Sequence, residues 1–536
     1  MLLDSLPSAL EDAEALLKRR EKAAEKKELW RSIYRDCFLY AMPARETFSW
    51  HTEGQFKNNV LYDSTLQEAT YTAANTLIAL LFPSWSRWAE LVAGGAIKPE
   101  HVTPDILDGL QAATKMFFDF LNISNFNTVI SEAALDLMVG TCSLSFDEGE
   151  TNDNPFAFSS IPLSVIEIEE GPNGSVETTW MLRKPKARHL ERLYEGLQAW
   201  DLSEETQKLI KDKPDAEVEI VQGEIYFPKD GNYYGVVIEK VSKNICWRYK
   251  FGVSCPTIVA RATKVAGETY GRGRVMLALS DARTLDRMQE FVLRHAALQV
   301  APPMTGVSDG VLNPYTASLR PNTIIPVASN DNGSPSLRAL DIGGNFNITE
   351  AMMKDLRERV RRTMLGPEPS EGAIKSATEI NIADRNRLWA MNGEYNRIMS
   401  ELLAKVIARG VFILQKKGLI GKFKIDGREV QIQYTSPFAK SQKVEDVMNL
   451  QQALQVGSIV GPQNVEMGIK VEDVPAWVSR QMGVPEKLIR TPEEVKAKGE
   501  QVMAVAQQAQ AAGALPGGPA AAAPTAAAPA LPGVTA

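Results

Sequence analysis

Hydrophobic positions in this chain recur with a helical period toward both ends and with a strand period between them. Residues 5–40 are densely charged, with an apolar stripe that includes Leu16, Leu29, Ile33 and Leu39, which predicts one long helix. Ser64 and Gln67 form a capping-box pattern that opens a second helix, closed by Pro83. Thr103 and Pro104 suit the N-cap and first position of a third helix, and a fourth is expected over about 124–140. From Thr141 to about Val259 the chain turns rich in β-branched and aromatic residues. Gly171-Pro172-Asn173-Gly174 and Asp230-Gly231 separate strand pairs there, and one helix over about 186–211 interrupts them.

The second half is again helical. Residues 274–299 predict a helix of roughly 39 Å. One face carries Ala278, Ala282, Leu285, Met288, Val292 and Ala296. The other carries Asp281, Arg283, Asp286, Arg287, Glu290 and Arg294. Residues 300–346 are broken by prolines and glycines and predict loops and short strands. A charged helix follows over 347–365, with Lys354, Arg357, Glu358, Arg359, Arg361 and Arg362, and Gly366 to Ala373 breaks it. Ser376-Ala377-Thr378-Glu379 is a capping box for a helix of about 40 residues that Gly418 can close, with apolar positions at Ile380, Leu388, Met391, Tyr395, Ile398, Leu402 and Val406. A strand pair is expected around 422–434 and helices over 440–512. The Ala/Pro/Gly-rich segment 513–536 lacks the apolar bulk to order itself and predicts disorder. The fold class is therefore α+β, mainly helical.

Composition adds limits. At roughly 150 residues per domain, 536 residues predict three or four domains. The formal charge of −7 argues against a protein that grips nucleic acid by neutralising phosphates, though not against one that lets it pass. Cys37, Cys142, Cys246 and Cys255 are far apart and form no CxxC pair, so neither a disulfide framework nor a zinc site is expected. The N-terminus lacks the uninterrupted apolar core of a signal peptide, and the apolar runs are too short to span a bilayer, which predicts a soluble, unexported chain.

Several motifs carry a chemical reading and a plainer one. Gly306-Val307-Ser308-Asp309-Gly310 matches the GxSxG nucleophile elbow of a hydrolase, but Pro314 blocks the helix that must follow, and all four histidines lie upstream. Gly267-Glu268-Thr269-Tyr270-Gly271-Arg272-Gly273 resembles a phosphate cradle, yet it lacks both the GK[ST] ending and GxGxxG spacing; a tight turn that positions a helix is preferred. The acidic stretch 147–153 (Asp147, Glu148, Glu150, Asp153) lacks EF-hand spacing and reads as a solvated turn. The cluster Phe82 to Trp88 has one cation, which favours core packing over stacking on nucleic-acid bases. A hydrolase or nuclease using Ser308 or the acidic stretch is thus the weaker alternative, together with a soluble scaffold that forms no channel.

Three stretches, in order, resemble the portal (head-to-tail connector) proteins of short-tailed bacteriophages. They are Leu80-Leu81-Phe82-Pro83 with a nearby Trp; Gly267-Glu268-Thr269-Tyr270-Gly271-Arg272 leading into the helix through Gln289-Glu290; and Ser376-Ala377-Thr378-Glu379-Ile380. The resemblance implies no catalytic residue, no metal and no cofactor. It implies a ring, usually of twelve subunits, at one capsid vertex. Carried onto this chain, residues 1–266 and 376–436 are the wing, 267–299 and 347–365 the stem, 300–346 the clip, 366–375 the tunnel loop and 437–512 the crown. Its implied partners are other copies of itself, double-stranded DNA passing through the channel, the terminase large subunit, a tail adaptor, and the scaffolding, major capsid and internal core proteins, with no membrane. A ring of twelve would carry about −84, an acidic body that discourages sticking while a few cations touch phosphate transiently. Arg361, Arg362 and Lys375 are the expected phosphate contacts, with Glu368 and Glu371 keeping them weak. Asp281, Arg283, Arg287, Glu290 and Arg294 are the expected polar residues of the stem.

Overall fold

The computed structural model describes residues 7–49, 54, 61–84, 86–94, 104–194, 201–300, 302, 304–306, 337–339, 346–366, 392–421, 430–434, 447, 450–455 and 474–481. The chain divides into two compact units, Met1–Ala439 and Lys440–Ala536. In the second unit, Val474–Gln481 is helical.

The first unit begins with α1 (Ala13–Ala41), whose start is capped by Asp12 accepting from the Ala15 N–H at 3.0 Å. Its buried face runs through Leu16, Ala23, Lys27, Tyr34, Cys37 and Phe38. Of the stripe the sequence suggested, Leu16 is buried and Ile33 packs on the core, but Leu29 is 82% exposed. The reason lies in what the helix packs on. Arg20 makes two 2.6 Å bonds to Glu167 and Arg19 one of 2.7 Å to Glu169, so the edge of a sheet fixes the helix's rotation. Lys27 is buried with them, donates to the Ser164 carbonyl, and burial lowers its pKa to about 8.

Next come α2 (Thr65–Leu81), β1 (Ala89–Ala93), α3 (Pro104–Ile123) and α4 (Phe126–Val139). The Ser64 side chain makes no capping bond. Asp63 does the work instead, its Oδ1 accepting from the Thr65 N–H at 2.9 Å. Phe82 and Trp88 lie edge-to-face at 5.2 Å in an aromatic core with Phe117, Phe118 and Phe126. The Phe82–Trp88 stretch is thus a core anchor, as its single cation suggested; fully burying one such side chain is worth roughly 1.5–3 kcal/mol.

The β-rich region forms two antiparallel sheets. One has the order β3 (Phe156–Ser160), β2 (Thr141–Glu148), β9 (Thr257–Arg261). The other runs β4 (Ile166–Glu170), β5 (Val176–Arg183), β6 (Ile220–Phe227), β7 (Asn232–Glu239), β8 (Ile245–Gly252). Both predicted turns hold, with Gly174 at φ 73° and Gly231 at φ 64°. The helix expected over 186–211 is instead two short ones, α5 (Leu190–Leu193) and α6 (Glu204–Asp212). Ser203 starts the second afresh: its Oγ accepts from the Thr206 N–H, while buried Glu239 accepts from the Ser203 N–H at 3.0 Å.

The α7 helix (Arg274–Val300) has 27 residues, one more than expected. It packs antiparallel on α8 (Phe346–Leu365) through Leu285, Met288 and Val292 against Met353 and Leu356. Between them β10 (Met304–Gly306) pairs with β11 (Leu337–Ala339). Further on, α9 (Asn392–Ile398), a π-helical turn (Met399–Leu403) and α10 (Ala404–Lys416) run without interruption, and Gly418 follows at φ 71°. Tyr395, Ile398, Leu402 and Val406 are buried as their period required; Ile380, Leu388, Met391 and the Ser376–Glu379 capping box lie outside the described residues. The last described strand, β12 (Val430–Tyr434), pairs with β1, Leu91 opposite Ile432, while residues 422–429 of the expected strand pair lie outside the described residues. The N-terminal helices and the long helix are thereby closed into one body.

Candidate functional site

The α7–α8 hairpin is held at its root by three sets of contacts, and these position the predicted stem residues. The first is the Gly267–Gly273 turn. A Cβ at Gly271 would sit 2.3 Å from the Gly140 oxygen, and one at Gly273 would sit 2.1 Å from the Met138 oxygen. Two backbones meet at the C-terminus of α4, and only glycine leaves room for them. The Gly273 N–H donates to the Val139 carbonyl at 3.0 Å and the Gly271 N–H to Thr141 Oγ1 at 2.9 Å. Tyr270 is fully buried against Trp30 and Tyr34, while Arg272 lies over the Trp30 ring and bonds Glu268 twice. Gly271 and Gly273 therefore serve the close approach of another backbone segment.

The second set centres on Arg274, at the first turn of α7. Its Nε donates to Glu394 of α9 at 3.0 Å and its Nη1 to the Met364 carbonyl, near the end of α8, at 2.8 Å. The third centres on Asp286, which accepts from the N–H groups of Tyr62 and Asp63 at 2.7 and 3.1 Å. Asp63 in turn holds Arg357 at 3.0 Å, and Arg357 reaches Gln289. One chain of bonds thus joins the start of α2 to both helices of the hairpin.

The expected charged face of α7 is only partly a surface. Asp286 and Glu290 are buried, because capping Tyr62–Asp63 and clamping arginines are tasks done from inside. Glu290 bonds Arg294 at 2.5 Å and lies 3.5 Å from Arg287. Arg283 pairs with Asp36 of α1 and covers the Tyr40 ring; Asp281 stands 4.0 Å from Arg359. On α8, Arg359 pairs with Asp355 and Arg361 with Glu68 at 3.7 Å. Arg362 is exposed and has no carboxylate partner among the described residues. The structure therefore brings Arg361 and Arg362 to the C-terminal turn of α8, where Gly366 closes the helix at φ 83°. Glu368, Glu371 and Lys375 lie outside the described residues, as does Ser308.

The acidic stretch has its own partners. Glu148 bonds Lys416 at 2.7 Å, Glu150 meets Arg192, Lys417 donates to the carbonyls of Gly149 and Thr151, and Ser145 donates to Asp147. Among the described residues no group of His, Cys, Asp and Glu could hold a metal ion, and no helix is long and apolar enough to cross a membrane. All four cysteines are free thiols.

One cluster had not been singled out from the sequence. Arg261, fully buried at the end of β9, bonds Glu401 through Nε and Nη2 at 3.1 and 2.7 Å. It also bonds Glu170 and the carbonyls of Thr269 and Gly174. Glu401 stands in the π-helical turn and also receives Arg397. Burial pushes the Glu401 carboxyl up, but the bonds and charge of Arg261 outweigh it and hold the pKa below the usual value. The available signal was slight: a charged residue ending the apolar run Thr257–Arg261, and another on the apolar face of the long helix.

The comparison that decides the family covers most of the chain: the model of the bacteriophage head to tail connecting protein matches residues 13–489. The chain belongs to that family. It is a structural family of virion components, so this connector is not an enzyme. No curated protein matches it. Solved structures similar to the connector include the virion of a native gene transfer agent particle, at 10% identity and a TM-score of 0.34, covering 74% of this chain and 90% of that one. The neck of the native particle, computed with C12 symmetry, gives 10% and 0.33, covering 72% and 87%. The neck of the empty particle, computed with C6 symmetry, gives 9% and 0.32, covering 73% and 86%.

Proposed function

We propose that this connector is a portal subunit. Copies of it form a ring of twelve at one capsid vertex, around an axial channel for double-stranded DNA. The observation that carries the reading is the α7–α8 hairpin. Two long antiparallel helices bracket an excursion that carries the β10–β11 pair; α7 is bonded at its start to the long helix and to the end of α8, and at mid-length both helices are bonded to the segment that opens α2. A rigid rod anchored on a broad body is what a stem requires. In this reading residues 300–346 form the clip, which meets the terminase motor during packaging and the tail adaptor afterwards. The turn after α8 faces the DNA, with Arg361, Arg362 and Lys375 making phosphate contacts that Glu368 and Glu371 keep weak. At −7 per subunit the ring repels DNA overall, so such contacts are brief and the duplex can slide.

Complementation tests this. Particles assembled without the chain should be empty and tailless, and supplying it should restore filled, tailed heads. Filled and tailed heads without the chain would refute the proposal.

A further inference from the structure

The five-stranded sheet has one closed edge and one open edge. At the β4 edge the Ile168 N–H donates to Tyr270 Oη at 3.3 Å, and Glu167 is held by Arg20 of α1. At the other edge no strand pairs with the outer side of β8 among the described residues. An open edge carries a row of backbone donors and acceptors with no ladder partner. Val241 and Val253, which flank the strand, are 76% and 71% exposed.

Side chains of β8 alternate between the two faces of the sheet. Trp247, Tyr249 and Phe251 form a half-buried aromatic row, the first two rings stacked at 5.4 Å and the last two edge-to-face at 5.2 Å. Arg248, opposite Val236, and Lys250, opposite Tyr234, stand on the other face. Lys250 is exposed. Neither cation makes an ion pair among the described residues. A lysine on an edge can serve simply to deter pairing. Arg248 differs, because its Nε is buried and has no hydrogen-bond acceptor among the described residues. A charge placed only to deter pairing stays solvated, whereas a buried N–H is satisfied when an acceptor is brought to it.

We infer that β8 takes up an extended segment of a partner protein in which acidic and apolar residues alternate. Residues directly opposite across a strand pair share a face. Carboxylates two positions apart therefore meet Arg248 and Lys250, and the residues between them lie along the aromatic row. Backbone hydrogen bonds supply the adhesion, and the side chains select the segment. The β4 strand of a second copy, Ile166-Glu167-Ile168-Glu169, has the right pattern but is already engaged. Its Glu167 is held by Arg20, its Glu169 by Arg19 and Trp180, and its Ile168 N–H by Tyr270. The occupant is therefore a different protein, and nothing in this contact requires copies to close into a ring.

The test uses the full chain and fluorescein-labelled peptides as long as β8, eight residues, with binding read by fluorescence anisotropy at low salt. One peptide alternates valine and glutamate. A second has the same residues in two blocks, and a third alternates but is N-methylated along its whole backbone. The wild type should bind the alternating peptide about ten-fold more tightly, or better, than either control. The variant Arg248→Glu with Lys250→Glu, its fold checked by circular dichroism, should bind that peptide about ten-fold more weakly and prefer one that alternates valine and lysine. Equal binding of the blocked or N-methylated peptide by the wild type would overturn strand addition, and no binding of the alternating peptide would overturn the docking edge. Undiminished binding by the charge-reversed variant would take Arg248 and Lys250 out of the site and the inference with them. If β8 pairs with another copy instead, the wild type will exclude the peptide and self-associate through contacts that the variant loses, which would also overturn the inference.

Discussion

Replacing Arg261 with methionine tests the buried knot that fastens the long helix to the sheet. The guanidinium is 0% exposed and makes bonds to Glu401, Glu170 and two carbonyls. Methionine fills much of the volume but leaves Glu401 with Arg397 as its charged partner, strips the Thr269 carbonyl of the Arg261 donor and leaves the Gly174 carbonyl with Lys264 at 3.4 Å. Removing one partner of a buried ion pair costs about 3–5 kcal/mol. With an unfolding entropy of about 2.1 cal/mol/K per residue, each kcal/mol shifts a unit of the size of Met1–Ala439 by about 1 °C, so its transition should fall by about 3–5 °C in a calorimetric scan. Glu401→Gln keeps the shape and leaves Arg261 paired with Glu170, so its loss should be smaller, about 1–3 kcal/mol. The decisive variant is Arg261→Met with Glu401→Leu. It removes the stranded carboxylate, and Glu170 keeps Lys264 at 2.6 Å, so it should be more stable than Arg261→Met alone. A fall under about 2 °C for Arg261→Met, or a double variant as damaged as the single one, would refute the reasoning.

Three further outcomes follow from the same geometry. Burial pushes the Asp136 carboxyl up to about 6 despite its 3.1 Å bond to Arg45; its contribution is complete below the unfolded value near 3.9 and lost as pH rises through 6, about 3 kcal/mol in all, and urea titrations of Asp136→Asn should show a flatter profile between pH 4 and 7. Gly273→Ala should cost about 2 kcal/mol or more because its Cβ meets the Met138 oxygen, whereas Gly109→Ala in α3, with nothing within 4 Å, should be neutral or gain about 0.5–1 kcal/mol in the same melts. Neutralising Lys375 and Arg361 together should lower DNA retention in filled heads, and unchanged packaging and retention would remove both from the mechanism.

How far the sequence reached can be seen residue by residue. The α7 helix was legible because twenty-odd residues hold one period, and the Gly174 and Gly231 turns because glycine relieves a backbone angle that other residues resist. Rotation was harder to see. Leu29 fits the apolar stripe of α1 but faces solvent, since Arg19 and Arg20 find glutamates on a strand some 150 positions away. Asp286 and Glu290 looked like surface charges because periodicity cannot distinguish a solvated carboxylate from one that caps a distant backbone or clamps arginines. The β1–β12 pairing joins strands more than 300 residues apart, and nothing local announces it. The Gly271–Gly140 contact explains why the turn resembled a phosphate cradle: glycines suit close approach, whether the visitor is phosphate or backbone.

The proposed closure of copies of this chain into a ring around a channel is tested most directly by a negative-stain image of the purified protein. Closed rings with an axial hole wide enough to pass a DNA duplex are expected. A field of monomers or open filaments would contradict that closure.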